Sequence, residues 1–268
     1  MIPKIIHYCW FGNNEKPGLV KDCIESWKTH LPDYEIKEWN ETNSKLDSKF
    51  VQKAYKLKKW AFVSDYIRLK KVYEYGGIYF DTDMLLLKNL DPFLEDKMFI
   101  GCEDEKTINA AIFGATKKHP FIYKVLENYK DLKIGGFVNL FSIAIPIIIT
   151  NTYKKAYNYN DLFLTKLENE NLIVYPTEYF YSLPSNESSN KNNFTNYLTK
   201  NSYAVHLWDA SWVDLNEFEY IRARKYLKGF VESVKNLKHY QKLNFKYLRK
   251  ILSAIKTSIL TPENIKIK

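Results

Sequence analysis

The sequence has few of the residues that build a disulfide framework or a zinc site. Its 268 residues include three cysteines, Cys9, Cys23 and Cys102, an odd number at wide spacing. Their positions match neither paired disulfides nor zinc-ligand spacing. We therefore expect reduced, partly buried thiols in an intracellular protein.

Long hydrophobic runs are also absent. Residues 1–6 lack the apolar core of a signal peptide. The most apolar stretch, residues 140–149, is interrupted by Pro146 and is too short to span a bilayer. We expect it to be a segment of the core, in a protein with no membrane span.

The composition is that of a packed globular protein. Hydrophobic residues make up 46% of the chain and aromatic residues 16%, which argues against disorder. The length suffices for one domain of ordinary size with an appendage.

The stretch at residues 75–83 organises the rest of the chain. Residues 60–75 carry apolar side chains at helical spacing, and Gly76-Gly77 supplies the left-handed geometry that ends a helix. The apolar residues 78–80 then predict a short buried strand, and Asp81 and Asp83 follow it directly. In open α/β sheets, ligands bind outside the carboxyl ends of the strands.

The two carboxylates predict a cation site. Side chains one residue apart at a strand end can turn toward one point, where a hard divalent ion would relieve their repulsion. Asp65 and Arg68 lie three positions apart in the preceding helix and share a face. The alternatives are a solvated polar turn for the Asp pair and an ordinary salt bridge for Asp65 and Arg68.

Other segments alternate between strand and helix patterns. Residues 4–12 predict a first strand that ends in a loop, with Trp10 placed either to pack or to stack on a nucleobase. His206 ends a late strand, where it is a third metal ligand or a core histidine. Further predicted strands are residues 34–39, 84–87, 98–102, 110–114, 172–176 and 203–208, and predicted helices are residues 19–30, 50–59, 121–129 and the segment from 218 onward. Residues 185–196 predict an exposed loop.

Two motifs together resemble glycosyltransferase family 32 and, in the motif region, the catalytic domain of the large clostridial glucosylating toxins. The first is residues 2–12, and the second joins Ser64-Asp65-x-x-Arg68 to Gly76-Gly77-x-Tyr79-x-Asp81-x-Asp83. The resemblance runs to about Trp212. It implies an α/β protein with a GT-A (Rossmann-like, nucleotide-sugar-binding) fold, a mixed central sheet and a helical C-terminal extension.

The resemblance also implies a function. It is that of a metal-dependent, retaining glycosyltransferase that moves a hexose from a nucleotide sugar, with UDP favoured, to a glycan in capsular or other surface polysaccharide synthesis. The metal would be Mn²⁺ or Mg²⁺.

Roles carry over to individual positions of this sequence. Asp83 resembles the direct metal ligand, Asp81 the residue that bridges ribose and metal, and His206 a late metal or diphosphate contact. By the same resemblance, Trp10 would stack on the base and Tyr79 would contact the ribose or sugar. Asp65 and Arg68 would bind the donor sugar, and Ser211 and Trp212 would contact the diphosphate.

Two rival functions stay open at this point. Residues 80–85 also resemble the nucleophile loop of haloacid-dehalogenase-type phosphatases, in which Asp81 would attack phosphate. The net charge of +9 fits a basic protein that binds nucleic acid or a membrane. A glycosidase is not favoured, because no second carboxylate pair suits it.

The positive charge is concentrated at the C-terminus. From Arg222 onward there are thirteen basic and two acidic residues, so this tail holds +11 and the remainder −2. We therefore predict a transferase domain at residues 1–217 and a basic amphipathic helical segment at residues 218–268. That segment either packs on the domain or lies on an anionic membrane. We expect a cytoplasmic protein at the inner face of the membrane, acting on a lipid-linked glycan, with no nucleic-acid partner.

Overall fold

The computed structural model describes residues 1–135, 140–209, 217–222, 224–239 and 245–260. The chain divides into two compact units, Met1–Ala210 and Ser211–Lys268. Within the first unit the strands are β1 Ile5–Cys9, β2 Glu35–Trp39, β3 Gly77–Phe80, β4 Met84–Leu86, β5 Met98–Cys102, β6 Ile108–Ala115, β7 Leu167–Asn169, β8 Leu172–Tyr175 and β9 Ala204–His206. Its helices are α1 Gly18–His30, α2 Lys49–Lys56, α3 Trp60–Tyr75, α4 Pro120–Asn128 and α5 Ile145–Tyr157.

Seven strands form a mixed central sheet in the order β2-β1-β3-β6-β5-β8-β7. β2, β1 and β3 run parallel, and β6 is antiparallel to both β3 and β5. The predicted α/β class with a mixed central sheet is thus confirmed. The carboxyl ends of β1, β3 and β5 and the start of β6 share one edge of the sheet, where ligands are expected.

Two hydrophobic cores cover the two faces of this sheet. One lies beneath α2, α3, α4 and α5 and includes Tyr79 of β3. The other lies beneath α1 and includes Ile78 and Phe80. The alternation follows from the twofold period of a strand, which sends neighbouring side chains to opposite faces.

β4 and β9 form a separate two-stranded antiparallel sheet. The prediction that residues 84–87 and 203–208 contain strands is confirmed, although neither strand joins the central sheet. The indole Nε1–H of Trp27 on α1 donates to the carbonyl oxygen of Met84 at 2.7 Å and anchors this small sheet.

The double glycine is required by close packing at the start of β3. Gly76 and Gly77 have φ values of +71° and +108°, a region that favours glycine. A Cβ on Gly77 would lie 2.6 Å from the carbonyl oxygen of Ile5. The predicted end of α3 at this point is confirmed.

Pro146 begins a helix and does not break one. Proline is well tolerated in the first turn, where its missing N–H has no intrahelical partner. The helix α5 therefore runs from Ile145 to Tyr157 and ends at Asn158 with φ +50°. Residues 140–149 contribute to the core as predicted, since Ile145, Ile148 and Ile149 are buried, whereas the helix itself was not predicted.

The described residues of the second unit are mostly helical. Its helices are α6 Glu217–Arg222, α7 Tyr226–His239 and α8 Phe245–Leu260. α7 and α8 both contact α6. In the first unit, short 3-10 turns occupy Asp91–Phe93, Leu140–Ile143 and Thr177–Tyr179. The 13 residues Ser185–Tyr197, predicted as an exposed loop, form a kinked 3-10 stretch with no buried residue. Among all described residues, no helix combines the length and the apolar character needed to cross a bilayer.

Candidate active site

Asp81 and Asp83 lie between the two sheets, at the carboxyl end of β3 and directly before β4. The pairing of β4 with β9 sets Met84 opposite His206, which brings the imidazole beside Asp83. His206 Nε2 lies 3.1 Å from Oδ1 of Asp83. Asp81, Asp83 and His206 each offer one potential ligand atom, and these three atoms lie within 4.8 Å of one another. The predicted convergence of these three residues is therefore present in the fold.

A strained turn after His206 completes the surroundings of Asp83. Trp208 has φ +53°, an uncommon left-handed conformation for a residue with a side chain. This turn allows the backbone N–H of Asp209 to donate to Oδ2 of Asp83 at 2.9 Å. Trp208 is fixed by its own indole, which donates to the carbonyl of Leu183 at 2.8 Å.

Arg68 forms ion pairs with two carboxylates, that of Asp65 on α3 and that of Asp81 after β3. Its guanidinium lies 3.1 Å from Oδ1 of Asp65 and 3.0 Å from Oδ2 of Asp81. It also donates to the carbonyl of Ala110 at 2.9 Å and stacks on the ring of Tyr79, with 4.6 Å from Cζ to the centroid. The Tyr79 hydroxyl donates to Oδ1 of Asp81 at 2.9 Å. Arg68 and Tyr79 thus both orient Asp81.

The N-terminus of α5 reaches the same cluster. The backbone N–H of Ile145 donates to the Asp65 carboxylate, where a helix N-terminus favours negative charge. Burial nevertheless raises the pKa of Asp65 to about 7, against the opposing effect of Arg68.

The charged groups of the cluster shift one another's pKa values. Burial, together with the charge of Asp83, raises the pKa of Asp81 although Arg68 opposes the shift. Burial alone would raise the pKa of Asp83, but His206 and the Asp209 N–H outweigh it and the pKa is lowered. Burial alone would lower the pKa of His206, but Asp83 and Asp81 outweigh it and the pKa is raised.

A divalent metal ion fits this set of residues. Three carboxylates face one guanidinium and one imidazole, so the cluster has a net negative charge when all three carboxylates are ionised, even with His206 protonated. Among the described residues, Nδ1 of His206 is buried without a hydrogen-bond partner. Asp81 is the most open member of the metal set, with its side chain 16% exposed against 6% for Asp83.

Trp10 follows β1 at the same edge of the sheet. Its indole donates to the carbonyl of Asn14 at 2.8 Å, and the Lys16 amino group lies 5.8 Å from the ring centroid. The ring is half-buried against the core, so one part of it packs on the core and another part stays accessible to solvent. Ser211 and Trp212, the predicted diphosphate contacts, lie outside the described residues.

A second polar group at this edge of the sheet, Glu103 with Asn109, was not predicted. Glu103 follows β5, and Asn109 near the start of β6 donates its amide to the Glu103 carboxylate. Tyr181 donates to the Asn109 carbonyl at 3.1 Å and packs edge-on against His206. Glu103 and Asn109 lie between the strands predicted at residues 98–102 and 110–114. Their positions beside strand ends could have indicated that they belong to the site.

Comparison with known proteins agrees with the site. Residues 17–100 match the family described as "Glycosyltransferase sugar-binding region containing DXD motif". The predicted resemblance is therefore confirmed for this part of the chain, which includes Asp65, Arg68, Asp81 and Asp83.

Individual relatives are glycosyltransferases as well. The chain is 32% identical over 140 residues to inositol phosphoceramide mannosyltransferase 3 of Schizosaccharomyces pombe, covering 47% of this chain and 37% of that protein. It is 26% identical over 153 residues to lactosylceramide 4-alpha-galactosyltransferase of Homo sapiens, covering 55% and 41%. The chain thus spans less than half the length of these relatives. A solved structure, the PaToxG glycosyltransferase, is 14% identical, with 96% and 86% coverage and a TM-score of 0.47.

Proposed function

We propose that this protein is a metal-dependent, retaining glycosyltransferase that moves a hexose from a nucleotide sugar to a glycan acceptor. One observation carries the proposal. Asp81, Asp83 and His206 converge within 4.8 Å at the sheet edge where α/β proteins bind nucleotides. Asp81 and Asp83 also lie within residues 17–100, which match a glycosyltransferase sugar-binding region.

The metal would be held by Asp83, Asp81 and His206. An imidazole in the ligand set favours Mn²⁺ over Mg²⁺, which is usually bound by oxygen atoms alone. When bound, the ion supplies positive charge that stabilises the departing diphosphate.

The protein's own residues prepare the donor site. Arg68 and Tyr79 hold one carboxylate oxygen of Asp81 each, so this side chain keeps one orientation as donor binds. Arg68 also contributes a fixed cation beside the departing group. Trp10 offers a flat surface for the base, with uridine favoured, and Asp65 lies behind Arg68 as a donor-sugar contact.

The acceptor proposed is a lipid-linked glycan at the cytoplasmic face of a membrane, in capsular or other surface polysaccharide synthesis. The names of two relatives support a lipid-bound acceptor, since one acts on inositol phosphoceramide and the other on lactosylceramide. One of these relatives is a mannosyltransferase and the other a galactosyltransferase, so the identity of the transferred hexose is a question for the donor-hydrolysis experiment.

The phosphatase alternative fits the comparisons less well. Asp81 lies within residues 17–100, which match a glycosyltransferase sugar-binding region, whereas the resemblance to a phosphatase nucleophile loop rests on residues 80–85 alone.

Calorimetric titration tests the proposal directly. UDP and GDP are titrated with Mn²⁺, with Mg²⁺ and with chelator, and hydrolysis of UDP-hexoses and GDP-mannose is then followed. We expect the metal to tighten nucleotide binding by at least about tenfold, or roughly 1.4 kcal/mol, and one donor to be hydrolysed slowly. Turnover of a simple phosphomonoester, with an acyl-phosphate at Asp81, would overturn the proposal in favour of the phosphatase.

A further inference from the structure

The helices of the second unit expose apolar side chains to solvent. Of the large hydrophobic residues that are exposed in the described part of the chain, ten lie on α7 and α8. Those on α8 are Phe245, Leu248, Leu252, Ile255 and Ile259, which recur at spacings of three and four. This spacing places all five on one side of the helix.

α7 repeats the arrangement. Leu227, Phe230, Val231 and Val234 follow the same helical spacing, and Leu227 and Phe230 are 81% and 67% exposed. These four residues and the five on α8 are called the apolar face below. Several exposed apolar side chains on one side of a helix mark an interaction site more often than they mark a stable free surface.

The apolar face is not what holds the unit together. The unit has its own core, formed by Phe218 and Ile221 of α6 and by Tyr247 and Ala254 of α8. Tyr226 and Ser258 join the start of α7 to the end of α8, with 3.1 Å between their hydroxyl oxygens. The exposed apolar residues are therefore additional to those needed for internal packing.

Basic residues border the apolar face. On α8, Arg249 and Lys256 are exposed and one helical turn or less from Leu252, and on α7 Lys228 is exposed beside Leu227. The sequence from Arg222 onward carries a net charge of +11. An apolar stripe flanked by Lys and Arg is the pattern of helices that lie in a membrane interface.

We propose that the apolar face docks the protein on a lipid bilayer with anionic headgroups. The positive charge favours an anionic bilayer over a second copy of this chain, because contact between two apolar faces would bring two strongly basic surfaces together. Apolar side chains would enter the headgroup boundary while Arg249, Lys256 and Lys228 contact lipid phosphates. This inference goes beyond the transferase function and does not depend on it.

Vesicle co-sedimentation of the full-length chain tests the docking, without any donor or metal. The vesicles are phosphatidylcholine alone, or phosphatidylcholine with about 30 mol% phosphatidylglycerol to give a strongly negative surface. We expect binding to the anionic vesicles only, weakening as salt rises and the charges are screened. Two double variants, Phe230→Gln with Leu252→Gln and Arg249→Gln with Lys256→Gln, should each weaken binding by about tenfold or more.

Matched controls come from the first unit. Leu164→Gln changes an apolar residue that is 63% exposed, and Lys21→Gln with Lys28→Gln removes two charges at side chains that are each 58% exposed. These controls should bind anionic vesicles as well as the parent protein. Equal loss in the controls, or undiminished binding in the double variants, would overturn the proposal.

Two further measurements identify other occupants. If the chain self-associates in sedimentation equilibrium without lipid and Phe230→Gln with Leu252→Gln abolishes it, the face is an interface between copies and the membrane proposal fails. If this pair lowers the melting temperature by more than about 5 °C, the face packs within the chain and the proposal also fails. Donor hydrolysis in lipid-free solution should be unchanged in all variants, which separates this test from that of the proposed function.

Discussion

His206 Nε2 lies 3.1 Å from Oδ1 of Asp83, although the two residues are 123 positions apart in the chain. The contact exists because β4 and β9 pair with Met84 opposite His206. It links the Asp-x-Asp loop to a second sheet, so the carboxylates are held from both sides. This two-sided support lets charged groups stay buried at the sheet edge.

Asp83→Ala should abolish metal-dependent donor hydrolysis while the protein stays folded. The variant removes a metal ligand and leaves His206 without its partner, and we expect a loss well over tenfold, or more than roughly 1.4 kcal/mol of activation free energy. Steady-state hydrolysis with Mn²⁺ and circular dichroism measure the two effects. The exposed Asp161 provides the control Asp161→Ala. A folded Asp83→Ala protein with full manganese-dependent turnover would disprove the ligand role.

Trp10→Ala should weaken nucleotide binding by about 1–3 kcal/mol, the range found for stacking of a base on an aromatic ring. Calorimetry with UDP in the presence of Mn²⁺ gives this value directly. Trp10→Phe keeps an aromatic face and should retain most of the affinity. If UDP binds Trp10→Ala as tightly as the parent protein, the indole serves only the packing seen in the structure.

Arg68→Met should destabilise the fold by about 3–5 kcal/mol, because it leaves buried carboxylates without their cation. Denaturant unfolding measures the change. Lys70→Met on the same helix, which removes a more exposed ion pair with Asp47, should cost less than about 1 kcal/mol. Asp65→Asn combined with Arg68→Met should cost less than the sum of the single changes. Strict additivity would show that the Asp65–Arg68 pair does not act as a unit.

Protonation of His7 should destabilise the protein in mild acid. Trp39 Nε1–H donates to Nδ1 of His7 at 3.0 Å, and Nε2 of His7 lies 2.8 Å from the Gly76 carbonyl. Because an indole N–H only donates, Nδ1 must accept and the ring must be neutral. Burial lowers the pKa of His7 from 6.5 to about 4. The unfolded chain thus binds the proton first, and stability falls as pH drops from about 6.5 toward 4, by on the order of 3 kcal/mol.

Urea unfolding of the parent protein and of His7→Gln across this pH range checks the prediction. Glutamine can accept from Trp39 and donate to Gly76 without titrating, so its loss of stability in acid should be smaller. The partly exposed His30 supplies the control His30→Gln, which should follow the parent. Parallel pH curves for His7→Gln and the parent protein would show that His7 does not carry this acid sensitivity.

Local sequence patterns predicted most elements of the fold. The helix α3, the strand β3 and the C-terminal helices were all predicted close to their observed positions, since each has clear periodicity or a glycine stop. The helix α5 was missed because Pro146 was taken as an interruption, whereas proline in a first turn starts a helix. The short strand β7 has too few residues to show any periodicity.

The metal-site candidates were predicted, but their supports were not. Asp81, Asp83, Asp65 and Arg68 come from one continuous motif, and His206 was proposed from its place at a strand end. The sequence did not indicate that Asp209 would donate its backbone N–H to Asp83, because that bond depends on the left-handed turn at Trp208. Trp208 is neither glycine nor asparagine, so composition gives no sign of such a turn.

By itself, the sequence determined the local part of the site: an apolar strand, a double-glycine stop before it and two carboxylates after it, with Asp65 and Arg68 on one helix face. It also determined that the positive charge collects in the last part of the chain. Tertiary structure alone decided that β4 leaves the central sheet to pair with β9, and so that His206 faces Asp83. Strand pairing across 123 positions is set by backbone hydrogen bonds and burial, which any apolar sequence can supply and which therefore leave no local pattern to read.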